Sequence, residues 1–129
     1  MNKYVIDAYA WVEYFDGTVM GKKVKEVIEH TQNDVYTNII TIAEVSSHFS
    51  KKKYDFAEAK RIIVATSSIF GMDITFAEGV GKLHAEIKSI RKHISLADIF
   101  VLATAKELQA HVLTGDEDFR GLKEVIMLK

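Results

Sequence analysis

The sequence predicts an α/β fold: one domain, residues 1–129, around a short parallel central sheet. Three observations predict it. Short β-prone runs alternate along the chain with longer stretches of helical periodicity, the pattern of strands joined by crossover helices. The stretch Ser95–Ala105, SLADIFVLATA, is apolar on every side of a helix, as an element buried under a sheet must be. The composition, 48% hydrophobic and 27% charged over 129 residues, is that of a globular chain long enough to bury a core.

The elements follow in order. Tyr4–Ile6 is a β-prone run closed by Asp7, and Trp11, Tyr14 and Phe15 then recur at helical spacing. Gly17 ends that helix, and a charged second helix runs over Val19–His30. Asp34–Thr37 reads as the second strand. An apolar helical stretch leaves it, in which Thr41 and Glu44 stand at capping-box spacing. Asp55–Phe70 is expected to be helical, Gly71 to break it, and Met72–Ile74 to form a brief strand. Phe76–Arg91 carries Val80, Leu83, Ile87 and Ile90 on a helical stripe. Ser95 and Asp98 make a capping box that opens the SLADIFVLATA helix. His111–Thr114 is the next strand, Gly115–Phe119 a turn and Val125–Leu128 the last strand.

Composition excludes several classes. There is no cysteine, hence no disulfide framework and no thiolate metal site; a reducing, cytoplasmic setting is expected. No apolar run reaches the length of a membrane span, and the first residues lack the form of a signal peptide. The net charge of −1 gives no global attraction to nucleic acid, yet nine basic residues face five acidic ones between Lys51 and His93. A local basic surface of that kind suits a phosphate backbone, and equally a solvated helix face.

The acids are the informative residues. In a parallel sheet, ligands bind beyond the carboxyl ends of the strands. Asp7 closes the first strand, Asp116 and Asp118 follow the fourth, Glu44 lies on the helix leaving the second, and Asp98 opens the organising helix. Each has a structural explanation too, as a helix cap, half of a capping box or a turn residue. Convergence would have a cost: at 4 Å and an effective dielectric of 20, each close pair of carboxylates repels by about 4 kcal/mol. With only oxygen ligands on offer, a hard divalent cation is the economical counter-charge. The five histidines show no ligand spacing.

Four segments carry a resemblance: VID (5–7), T-x-x-x-TIAE (37–44), SLADIFVLATA (95–105) and LTGDEDF (113–119). In order and spacing they resemble the acidic motifs of PIN-domain proteins, and with the chain length they look like the VapC type of toxin ribonuclease. The resemblance implies a Rossmann-like α/β/α sandwich whose acidic pocket binds Mg2+ or Mn2+ and hydrolyses RNA. Carried over, Asp7, Glu44, Asp98 and Asp116 form the catalytic quartet. Asp7, Asp98 and Asp116 are its metal ligands, and Asp118 and Thr114 are auxiliary. Where the first motif often has a small polar residue two positions after its Asp, this chain has Tyr9. A homodimer and a VapB-type antitoxin are also implied, with Trp11 and Tyr14 expected in the antitoxin groove, although aromatic residues at that spacing also suit a core.

Two other functions fit some of these features. A PIN nuclease of RNA processing shares the chemistry but commonly has further domains. A phospho-receiver module wants an Asp after a central strand and a Lys after a late one; Asp73 is awkwardly placed and no Lys closes His111–Thr114.

Overall fold

The computed structural model describes residues 2–129. β1 (Asn2–Ile6) leads into α1 (Ala8–Asp16) and α2 (Val19–Glu29). Next come β2 (Asn33–Asn38), α3 (Ile39–Lys51), α4 (Ala57–Thr66), β3 (Ser68–Phe70) and α5 (Ile74–Lys88). α6 (Leu96–Leu108), β4 (His111–Thr114), a 3-10 turn at Glu117–Phe119 and β5 (Val125–Met127) complete the chain. The strands form one all-parallel sheet in the order β3-β2-β1-β4-β5.

Alternation along the central strands separates two cores. Val5 and Val112 are register partners and point to the face covered by Val80 of α5 and Ile99 and Leu102 of α6. Ile6 and Leu113, one residue on, point to the other face. There they meet Trp11 of α1, Val24 of α2, Val45 of α3 and Ile63 of α4. This three-layer α/β/α arrangement is the fold expected from the acidic motifs. Residues 97–105 of α6 are buried or half-buried as their composition requires, while Leu96 in its first turn and Lys106 and Glu107 in its last are exposed.

The third strand is not where the sequence reading put it. Met72–Ile74 is not a strand, and the helix expected over Asp55–Phe70 spans only Ala57–Thr66. The Thr66 and Ser67 hydroxyls turn back onto Ile62 O and Ile63 O, both at 2.7 Å, where the helix stops. Residues 68–70 can then pair with Tyr36–Asn38. Asp73 is instead the N-cap of α5, accepting from Phe76 N at 2.8 Å. Helix α3 also begins earlier than a Thr41–Glu44 capping box would have it: Asn38 caps it, accepting from Ile40 N at 2.7 Å. Two glycines are dictated by geometry. Gly17 ends α1 at φ 67, a conformation cheap only for glycine. At Gly21 a Cβ would overlap the Glu13 carbonyl, so α1 and α2 approach backbone to backbone.

Candidate functional site

Strand order reverses between β1 and β4: β2 and β3 extend the sheet one way from β1, β5 the other way from β4. The crevice beyond the carboxyl ends of strands at such a reversal is where α/β sheets hold ligands. β1 delivers Asp7 there, and β4 delivers Thr114, Gly115 and Asp116.

Three of the carboxylates, Asp7, Asp98 and Asp116, are held by hydrogen bonds. Asp7 is the N-cap of α1; its Oδ1 accepts from Ala10 N at 2.9 Å and its Oδ2 from the Thr114 hydroxyl at 2.5 Å. Thr114 Oγ1 in turn accepts from Asp116 N at 3.0 Å, and Asp116 Oδ1 accepts from Asp118 N at 2.9 Å. Asp98 completes the capping box foreseen from sequence, with Oδ2 accepting from Ser95 N and Ser95 Oγ from Asp98 N, both at 3.0 Å. The N-termini of two helices, α1 and α6, thus carry acids of one site, and their dipoles favour negative charge there.

The side chains converge. One carboxylate oxygen from each of Asp98, Asp116 and Asp118 lies within 4.8 Å of the other two. Asp118 thus joins the closest trio, where the sequence reading had Asp7 as the third ligand and Asp118 as auxiliary. Asp7 is deeper, with both oxygens engaged in hydrogen bonds. Glu44, half-buried on α3, has Asp98 and Asp116 as its charged neighbours. Among the described residues no Lys or Arg side chain forms an ion pair with any of these five acids.

Electrostatics registers the crowding. Burial pushes the Asp7 carboxyl up to about 7; the Thr114 and Ala10 hydrogen bonds oppose this, while Asp116 and Asp98 add to it. Glu44 is raised by burial and then by Asp98 and Asp116. Asp98 is raised by burial, against its Ser95 hydrogen bonds and with help from Asp116 and Asp118. A trio at 4.8 Å, fully ionised, repels by on the order of 3 kcal/mol per pair. An all-oxygen trio with no cationic side chain beside it fits a hard divalent cation in chemistry and in charge.

Two placements alter the sequence reading. Trp11 is wholly buried, its Nε1 donating to Thr37 Oγ1 at 3.1 Å, so it pins α1 to β2 and offers no surface to a partner. Tyr14 keeps partial exposure, edge-on to Trp11 with ring centroids 5.6 Å apart. Asn38 went unnoticed in the sequence. Besides capping α3, its Nδ2 donates to Thr104 Oγ1 at 2.7 Å, fastening the helix of Glu44 to the helix of Asp98. An Asn between a β-prone run and an apolar helix was the local signal for the cap, but its reach to Thr104 left none.

Residues 4–125 match the sequence pattern of the PIN domain. The chain belongs to the PIN-domain family. Among solved structures, a toxin–antitoxin complex from Klebsiella pneumoniae matches with a TM-score of 0.75 at 24% identity, over 98% of each chain. VapC20 of Mycobacterium tuberculosis, described as a sarcin–ricin loop cleaving toxin, matches with a TM-score of 0.76 at 16% identity, over 95% of this chain and 98% of that one. VapBC2 from Rickettsia felis, bound to a DNA fragment from its promoter, gives 0.73 at 17% identity, over 97% and 96%. Comparison with curated protein sequences gives no match. As a PIN domain with the VapC fold, this protein places its acids at the sheet's reversal point.

Proposed function

We propose that this PIN domain is a divalent-metal-dependent endoribonuclease, the toxin of a VapBC-type pair, acting in the cytoplasm. One observation carries the reading: five carboxylates without cationic partners meet at the β1/β4 reversal of a PIN-family chain. The fold it shares with VapC20 and with the toxin–antitoxin complexes supports both the RNA substrate and the antitoxin. Arg91, Lys92 and His93 border Asp118 on the outer side of the site, and Arg91 donates to the Asp118 carbonyl at 3.3 Å. Arg91 and Lys92 would supply a cationic rim for an anionic polymer beside the acidic centre.

Asp98 and Asp116, through the oxygens their caps leave free, and Asp118 would hold Mg2+ or Mn2+, with Asp7 beneath them. Such a cation supplies Lewis acidity, lowering the pKa of water and stabilising negative charge on the phosphate. Glu44 orients the attacking water and takes its proton on a carboxylate oxygen, made more basic than usual by burial and its acidic neighbours. Thr114 holds Asp7 in place, and Ser95 holds Asp98.

The test is cleavage of structured RNAs with magnesium or manganese. Asp98→Asn should abolish cleavage while its melting temperature stays level or rises, since a repelling charge leaves the pocket. Cleavage at the wild-type rate by that variant would end the metal assignment. An antitoxin segment is proposed to contact Tyr14, which is partly exposed on the helix that begins at Asp7. Tyr14→Ala should weaken that binding by about 1 kcal/mol or more with cleavage retained, and an unchanged titration returns Tyr14 to the core. The active unit is proposed to be a homodimer.

A further inference from the structure

Beside the acidic centre, α1 and α3 enclose an open cavity of about 440 Å³, a size within the range of small-ligand sites. Its walls are Ala8, Tyr9, Val12 and Glu13 from α1 and Glu44 and His48 from α3. Glu44 belongs to the cavity and to the acidic centre at once, so the two are continuous. Tyr9 and Glu13 are four residues apart on α1, as are Glu44 and His48 on α3, and each pair shares one helix face. The Tyr9 ring rests on the backbone of Gly115: a Cβ there would overlap Tyr9 Cε1. Any larger residue than glycine at 115 would collide with the ring, which stands next to the site and is 36% exposed.

The chemistry of the walls selects an occupant. Glu13 and Glu44 are carboxylates, which when ionised repel a phosphate and accept hydrogen bonds without donating any, while the His48 ring and the Tyr9 hydroxyl can donate as well. A flat aromatic ring with acceptors at its edge suits a heteroaromatic ring that carries N–H donors. Single-stranded RNA is read in this way, by stacking on aromatic side chains and hydrogen bonds to exposed base edges. Among the four bases only guanine presents two adjacent N–H donors on its pairing edge, the match for one carboxylate accepting through both oxygens. The exposed Lys129 ammonium stands 5.8 Å from the Tyr9 ring centroid. An entering base displaces this weak surface contact and leaves the ammonium for the nucleotide's phosphate.

We propose that the cavity between α1 and α3 is a nucleobase subsite of the nuclease, in which Tyr9 stacks on a guanine beside the cut and Glu13 accepts from its N–H edge. The proposal rests on the nuclease reading above and adds to it a base preference. It also gives Tyr9, the departure from the usual first motif, a role in binding the substrate.

The experiment has two arms on the full chain. In the first, guanosine, adenosine, cytidine and uridine are titrated by saturation-transfer NMR without metal; nucleosides carry no phosphate for the acidic centre to repel. Guanosine should bind best, Tyr9→Phe should keep that binding, and Tyr9→Ala should weaken it roughly tenfold or more. Glu13→Gln, at a partly exposed position, should bring guanosine down to the level of the other bases. In the second arm, RNAs with each base in turn beside the cut are cleaved with magnesium. Tyr9→Ala should raise KM roughly tenfold or more and flatten the base preference, whereas Asp98→Asn removes cleavage of every RNA. The two readings fail separately. A wild type that cuts nothing yet prefers guanosine overturns the nuclease and keeps the subsite. An active wild type indifferent to the base and to Tyr9→Ala overturns the subsite and keeps the nuclease. A Tyr9→Ala variant that loses only a protein partner, with guanosine binding unchanged, also overturns it, and the cavity is then a protein groove.

Discussion

Asp7 accepts two hydrogen bonds and its carboxyl is still pushed up to about 7, so burial outweighs what the Ala10 amide and the Thr114 hydroxyl contribute. Thr114 is the more consequential partner, because the same oxygen also receives Asp116 N. Thr114→Val keeps the shape and removes both contacts. Stability should fall by about 1–3 kcal/mol, the cost of leaving a buried polar group unsatisfied. The acid limb of the pH–rate profile should move to higher pH, since the hydrogen bond that lowers Asp7 is gone. A profile superimposable on wild type would reduce Thr114 to an ordinary strand residue. In the sequence Thr114 is only a polar residue at a strand end; its bond to Asp7 spans 107 positions, and no local pattern reports a contact of that range. The same holds for Trp11, whose spacing fitted both core and groove until Thr37 was found on its indole nitrogen.

At the scale of elements, what could be read from sequence was what a few neighbouring residues decide. The Ser95–Asp98 capping box, the Gly17 stop and the Asp7 cap of the helix that follows the first strand all rest on contacts within four residues. β3 was misplaced because its three residues pair only through β2, while Ser68–Phe70 continues the apolar stripe of the helix before it. Exposed glycines set a further test at this scale. On α5, a Cβ at Gly79 or Gly81 meets nothing within 4 Å, and glycine inside a helix costs about 0.5–1 kcal/mol relative to alanine. Gly79→Ala and Gly81→Ala should each raise stability by about that much in urea unfolding. Gly21→Ala should lower it, because its Cβ would meet the Glu13 carbonyl. Equal effects at all three positions would mean the α1–α2 approach is looser than described.

For the whole molecule, the acidic centre makes stability depend on pH and on metal together. Asp7, Glu44 and Asp98 all bind protons more tightly folded than unfolded. Their contribution is therefore complete below the ordinary carboxylate range near 4, and it is lost as pH rises, for Asp7 through about 7. Metal-free protein should melt lower at about pH 7.5 than at about pH 5. Magnesium or manganese should restore the difference, since a ligand of the folded state alone stabilises it by mass action, about 2.7 kcal/mol at a hundredfold excess over Kd. The metal-induced rise should be larger at the higher pH, where the ligands need not first lose protons. Calorimetry at the two pH values checks this, and a shift equal at both would dissociate the metal from these acids.

The Asp7–Thr114 bond also places the site in the time course of synthesis. β1 leaves the ribosome well before its sheet neighbour β4 and the acids of LTGDEDF, which follow more than a hundred residues later. Until then Asp7 has neither Thr114 nor Asp116 beside it, and the central sheet lacks the strand that creates its reversal point. A nascent chain therefore has no acidic centre, however long it pauses on its message. The acidic centre comes into being only when the segment that carries Thr114 and Asp116 has been translated and folded.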